Sequence, residues 1–300
     1  MRFKKILKQW QLQVMIWPGI LLLVVFAFIP MFGLMIAFQR YHPLDGFLGS
    51  PAVGLENFAA FLKDEDFYRV LTNTLAISLL KLAIGFPFEI FLAIMIYELK
   101  MGAFKRVVQT VSYLPHFISW VVLGGMLITW LGGDGLLNSA LLWLHAIKEP
   151  VSFLGKADNY WLVAVLSEVW KDAGWGTILY LAAMSGIDPG LYEAATIDGA
   201  GRVQKIMRIT LPGIAGIIAL MFVLRIGGML GANLDQVLIL QNPLNMTRSE
   251  IIDSYVYHMG LSKGDFSFAT AIGIFTSAVS VILLVIANFA TKKINDRPIF

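Results

Sequence analysis

Six apolar runs, near residues 14–38, 70–97, 107–131, 159–184, 210–234 and 269–290, constrain this 300-residue chain more than any other feature. Each meets the roughly 20 residues that a helix needs to cross about 30 Å of hydrocarbon. Helices close their own backbone hydrogen bonds, so they can cross lipid where an open sheet cannot. A large soluble core could bury six such runs, but it would need a polar shell. Only 14% of the residues are charged and 58% are hydrophobic, whereas soluble domains carry about 25% charge. The expected fold class is an all-α polytopic membrane protein with six transmembrane helices. The composition speaks against a soluble enzyme, a disordered hub and a nucleic-acid-binding module, and the net charge of +3 matters less than where Lys and Arg fall along the chain.

Orientation follows from those cations. With the N-terminus inside, thirteen Lys and Arg fall in cytoplasmic segments and seven in outside segments, the asymmetry that marks the cytoplasmic side. Both termini are therefore expected to be cytoplasmic, with 1–13 a short cytoplasmic segment and 14–300 the transmembrane domain. The first run follows Arg2, Lys4, Lys5 and Lys8, as a signal peptide would, yet it is too long for an h-region and no A-x-A-like site ends it. The outside loops, near 39–69, 132–158 and 235–268, contain breakers such as His42-Pro43, Asp134-Gly135 and Asn242-Pro243. They suit a docking surface and ordinary solvated connectors equally.

The cytoplasmic loop at 186–212 carries the strongest local pattern. Asp188 followed by Pro189 is a helix start, a cap residue with Pro at the first position. Leu191 to Ile197 favours a short helix, Gly199 offers a stop, and a second helical stretch reaches Pro212. Small Ala194 and Ala195 let such a helix sit closely in a partner's groove, while Glu193 offers a carboxylate to a cation there. Gly199 permits the reversal that presents the helix away from the membrane.

The run Glu193-Ala194-Ala195, three residues, Gly199, nine residues, Ile209, one residue, Leu211-Pro212 resembles the EAA loop of the inner-membrane permease subunits of binding-protein-dependent ABC importers. Asp198-Gly199-Ala200 is similar to the longer form in sugar permeases of the maltose-transporter type, with Ile206 where that form usually carries an aromatic. The stretches 30–38, Gly54-Leu55-Glu56-Asn57-Phe58 and 175–183 resemble the subgroup that imports oligosaccharides released from complex polysaccharides. The resemblance covers nearly the whole chain. It implies an ABC type I importer permease fold in a bacterial cytoplasmic membrane, a transporter subunit and not an enzyme. It further implies a second homologous permease subunit, a cytoplasmic ATPase dimer that holds the ATP and magnesium, an extracytoplasmic solute-binding protein and an oligosaccharide substrate. Glu193, Ala194, Ala195, Asp198 and Gly199 become the ATPase-coupling residues, and no cofactor is expected on this chain.

Other motifs are absent from the sequence. There is no G-x-x-x-x-G-K-[ST] phosphate cradle, so ATP would be hydrolysed by another subunit. Zero cysteines exclude disulfides, iron–sulfur clusters and thiolate zinc sites. His42, His116, His145 and His258 lack metal-ligand spacing and read as surface or interfacial residues.

Six ionisable residues fall inside the runs: Lys81, Glu89, Glu168, Lys171, Asp172 and Arg225. Charge in a bilayer is costly, and marks a pathway or a pair. Counted from the cytoplasmic end of each span, Lys81 and Glu168 lie 16 residues in, Arg225 15 and Asp172 12, which at about 1.5 Å per residue is a belt near the midplane. Spans two, four and five are expected to converge there on a polar cavity, with Lys81 near Glu168 and Arg225 near Asp172. Lys81, Glu168, Lys171, Asp172, Trp175 and Arg225 are the substrate-path candidates, and the same pairs could equally serve only to fasten helices. Trp170 and Trp175 lie too deep for the interfacial belt that accounts for Trp130 and Trp161. Five residues apart, they project about 140° from one another. Trp175 falls on the side of Lys171 and Asp172, and Trp170 is expected to pack on a neighbouring span. An ion-coupled secondary transporter or an intramembrane enzyme could also use Asp172 or Glu168, but neither accounts for the EAA spacing.

Overall fold

The apolar runs fold as helices. The computed structural model describes residues 10–100 and 102–295, so most of the expected 1–13 segment, with Arg2, Lys4, Lys5 and Lys8, lies outside the described residues, as does Arg297. Among the described residues there is no strand, only an isolated bridge between Gln39 and Ala52. We number the principal helices α1 (Gln13–Phe38), α2 (Glu65–Tyr97), α3 (Gly102–Tyr113), α4 (Trp120–Leu131), α5 (Leu136–Trp143), α6 (Tyr160–Ser185), α7 (Pro189–Ile197), α8 (Arg202–Gly213), α9 (Ala215–Gly227), α10 (Leu234–Leu240) and α11 (Phe266–Asn295). Four stretches are long and apolar enough to cross a membrane: α1, α2, Trp120–Trp143 and Phe266–Thr291. At 26 residues, α6 has the length, about 39 Å, and carries Glu168, Lys171 and Asp172 along it.

Two expected spans differ from their single apolar runs. The third, 107–131, is two helices parted at Leu114–Ser119. Pro115 lacks the N–H that would continue α3, and Ser119 restarts the chain as a cap, its Oγ accepting from Val122 N at 3.3 Å. α3 buries no residue. The fifth, 210–234, is also interrupted: α8 and α9 meet at a 62° bend around Ile214, and α9 stops at Gly227. Residues 228–233 are irregular before α10 begins, because Gly227, Gly228 and Gly231 contribute no side chain to hold a helix and favour its ending.

The described residues form two units. In the first, residues 10–64 with 256–275, Phe61 is fully buried among Phe58, Phe268 and Phe275, with ring centroids 5.3–6.4 Å apart. The 39–69 loop is clipped to itself there by Arg40 N to Pro51 O at 2.9 Å and Val53 N to Phe38 O at 2.8 Å.

The second unit, residues 65–255 with the rest of α11, holds the candidate site residues. Its core packs α6 on α2 through Ala93, Ile94, Tyr180, Leu181 and Met184. In lipid the attraction between helices comes from close fit rather than from expelled water, so small residues mark the contacts. At Gly174 a Cβ would lie 1.8 Å from the Ser112 carbonyl oxygen, a spacing that only glycine allows. The 132–158 and 235–255 loops of this unit are pinned by side chains: Asn138 binds Val151 N and O, Asn73 Nδ2 donates to Thr247 O and Glu250 O, and Trp161 Nε1 donates to Arg248 O at 2.9 Å.

Candidate functional site

The 186–212 loop folds as the residues predict, with Pro189 at the first position of its first helix. Asp188 caps α7 by accepting from Gly190 N at 2.8 Å. At the other end Gly199 stands at φ +74°, Ala200 N donates to Ala195 O at 2.8 Å and Gly199 N to Thr196 O at 3.1 Å. That pair of bonds is a Schellman stop, which needs a residue comfortable in the left-handed region. α7 folds back on α8 through Tyr192 Oη to Thr210 Oγ1 at 3.0 Å and Lys205 Nζ to Thr196 Oγ1 at 2.7 Å. Arg202 Nε holds Glu98 Oε2, just past the end of α2, at 2.7 Å. With one side of α7 so engaged, Glu193, Ala194, Asp198 and Gly199 are exposed and Ala195 is half-buried. Among the described residues Glu193 has no partner in the chain, so its carboxylate faces outward.

Midway along the helices the charges gather around α6. Lys81 of α2 pairs with Glu168, and its Nζ also reaches Gln236 Oε1 at 3.3 Å. Gln236 is buried at the start of α10 and donates to Ala164 O at 2.8 Å and Ser167 Oγ at 2.9 Å. The chain beyond the α9 break is thus tied back to α6. Arg225 meets Glu89 of α2, and not Asp172 as the depth count suggests. A Cβ at Gly176 would lie 2.5 Å from the Glu89 carboxyl carbon, so that glycine makes the room in which the carboxylate sits. Asp172 instead binds His116 Nδ1 at 2.8 Å, and buried Lys171 donates to the His116 carbonyl oxygen and lies 3.9 Å from Asp172.

The pairing of Asp172 with His116 has a local cause. The α3–α4 break at Pro115 turns His116 toward α6, where its ring stacks on Trp175 with centroids 4.5 Å apart and planes 6° from parallel. A depth count treats helices as straight rods of known start and carries no azimuth, so it cannot see a residue delivered by a break. His116 and Gln236 were the residues that sequence reasoning missed for this cluster; Pro115 was the available signal for the first.

Two stripes run along α6, one of half-buried Glu168 and Asp172 with exposed Trp175 and Leu179, the other exposed throughout. Glu168, Asp172, Trp175 and Leu179 fall within about 60° of arc at 100° per residue, while Leu162, Leu166 and Trp170 occupy the opposite side and are fully apolar. Trp175 therefore shares the charged face and Trp170 does not. On the α9 side a cavity of about 300 Å³ is lined by Lys81, Glu168, Arg225, Gly228, Gly231 and Asn233 among others. Irregular backbone at membrane depth is tolerated where it lines such a cavity, and segment 228–233 does.

Residues 74–296 match the binding-protein-dependent transport system inner membrane component family. The chain belongs to that family. It is 41% identical, over 99% of its length and 92% of the relative's, to the polygalacturonan/rhamnogalacturonan transport system permease protein YteP of Bacillus subtilis (strain 168). It is 27% identical, over 92% of its length and 85% of the relative's, to the arabinooligosaccharides transport system permease protein AraP of the same organism. Its fold superposes with a TM-score of 0.90 and 36% identity, covering 99% of each chain, on a chain of a bacterial alginate ABC transporter in complex with alginate pentasaccharide-bound periplasmic protein. The chain is an ABC transporter permease of the type I fold, a transporter subunit.

Proposed function

We propose that this permease carries oligosaccharides, delivered by an extracytoplasmic binding protein, across the bacterial cytoplasmic membrane. Six crossings with both termini cytoplasmic fit this role: α1, α2, α4–α5, α6, α8–α9 and α11. Its partners are a second, homologous permease and a cytoplasmic ATPase dimer that binds ATP and magnesium. Glu193, Ala194, Ala195, Asp198 and Gly199 meet the ATPase, and closure of that dimer moves the loop and opens the cavity outward. Lys81, Glu168, Lys171, Asp172, Trp175 and Arg225 border the substrate path.

The observation that carries this reading is the polar cavity at the break between α9 and α10. A bundle that only needed fastening would close its ion pairs away from any cavity, whereas here Lys81, Glu168 and Arg225 stand on the wall. The relatives named for polygalacturonan, rhamnogalacturonan, arabinooligosaccharides and alginate supply the saccharide. A proton-coupled transporter or an intramembrane hydrolase would leave the outward-facing α7 helix without a purpose. The test is uptake of labelled oligosaccharide by proteoliposomes containing the full complex. Uptake is expected to require the ATPase and binding protein and to survive a proton uncoupler at constant ATP; uptake driven by a proton gradient without the ATPase would overturn it.

A further inference from the structure

The two cations on the cavity wall are not equivalent. Lys81 has two of its three ammonium donors engaged, by Glu168 and Gln236, and its side chain is 11% exposed. Among the described residues Arg225 has one hydrogen-bond partner, Glu89. A guanidinium has five N–H donors, so most of those on Arg225 remain for whatever enters. Its side chain is 35% exposed, while that of its counter-ion is 3% exposed. Glu89 is not part of the cavity wall; Glu168 is, but it is already engaged by Lys81. The wall thus presents a partly exposed guanidinium whose counter-ion, buried Glu89, is not itself among the wall residues.

We propose that Arg225 binds a carboxylate on the substrate, so that the cavity selects oligosaccharides containing uronate residues over neutral ones. This rests on the saccharide reading above and narrows it. A sugar hydroxyl could also accept from Arg225, but a carboxylate accepts two parallel bonds from the planar fork, and charge-assisted bonds are about twice as strong as neutral ones. Glu89 is a positioning residue: buried beside Gly176, it engages Nη2 of the guanidinium, while Arg225 itself lines the cavity. Gly228 and Gly231 line the same cavity and take none of its volume with side chains.

The experiment compares uptake of an oligogalacturonate with that of its methyl ester at equal chain length, in proteoliposomes holding the whole complex with ATPase and binding protein. The ester keeps the sugar framework and removes the charge. Arg225→Gln leaves Glu89 unpaired and risks misfolding, so the deciding variant is Arg225→Gln with Glu89→Gln, which removes both charges of the pair. The binding protein's own preference is common to wild type and variant and cancels. The acid-to-ester ratio is expected to fall by roughly tenfold or more in the double variant, the loss of one charge-assisted contact. An unchanged ratio, with uptake of both compounds reduced alike, would overturn the proposal and leave Arg225 a structural fastener. If wild type imports neither compound, but imports another class of solute, the saccharide reading falls and this proposal with it.

Discussion

Exchanging the partner of Arg225 is a change whose energetic consequence can be worked from the packing. The Glu89 side chain is 3% exposed and is wedged against the backbone of Gly176, so it cannot swing to water if its cation is removed. Arg225→Met alone therefore strands a buried carboxylate, which costs about 3–5 kcal/mol. Glu89→Gln alone leaves a more exposed guanidinium that the cavity can hydrate, at a lower cost of about 1–3 kcal/mol. Together, the two changes remove both charges and the penalty of the unpaired one, and the pair is expected to cost less than the sum by about 2 kcal/mol or more. The same cycle run on Arg225 and Asp172 should couple by less than about 1 kcal/mol, because Asp172 is engaged by His116 at 2.8 Å. Equilibrium unfolding of the purified complex in mixed micelles, titrated with SDS, measures both cycles. Coupling to Asp172 with none to Glu89 would refute the packing around Gly176 and restore the pairing that depth alone suggests.

Three further outcomes are expected. Glu193→Lys should abolish ATP-driven uptake while leaving membrane insertion and the amount of complex unchanged, and Gly199→Val should do so with an added local cost of about 1–2 kcal/mol, since Gly199 sits at φ +74°; normal uptake by Glu193→Lys would remove that carboxylate from the coupling contact. Trp175→Leu should reduce oligosaccharide uptake more than Trp170→Leu, as only Trp175 shares the charged stripe of α6, and the reverse order in matched uptake assays would exchange their roles. Asp253, in the short helix Ile252–Tyr257, has its carboxyl pushed up from 3.8 to about 6 by burial. Its folded state therefore holds the proton more tightly than the unfolded chain, and stability is lost as pH rises from about 4 to 6. Asp253→Asn is expected to stabilise the complex by about 1–2 kcal/mol above pH 7 after allowing for partial exposure, with little gain near pH 4; equal gains at both pH values in thermal melts would contradict this.

Hydropathy and spacing made the helices and the 186–212 loop legible because both are local properties. A run of apolar residues names its own solvent, and Asp188, Pro189 and Gly199 each act within a few residues of themselves. The cavity was legible only as a depth. Lys81 and Glu168 meet because α2 and α6 are long and packed closely by small residues, so that counting along each axis happens to align them. Arg225 defeats the count for a physical reason. The 62° bend and the early stop at Gly227 shift the end of α9 relative to a straight helix, and the free space that decides its partner is a missing Cβ at Gly176, on a helix that Arg225 does not belong to. The break at Pro115 acts in the same way on Asp172, by supplying His116 from a run that hydropathy reads as continuous. Charged residues in a membrane take whichever counter-ion the irregular backbone brings within reach, because leaving one unpaired costs several kcal/mol. The glycines and prolines that interrupt the spans thus decide the pairing, and they leave Arg225 paired with buried Glu89 and partly exposed on the cavity wall.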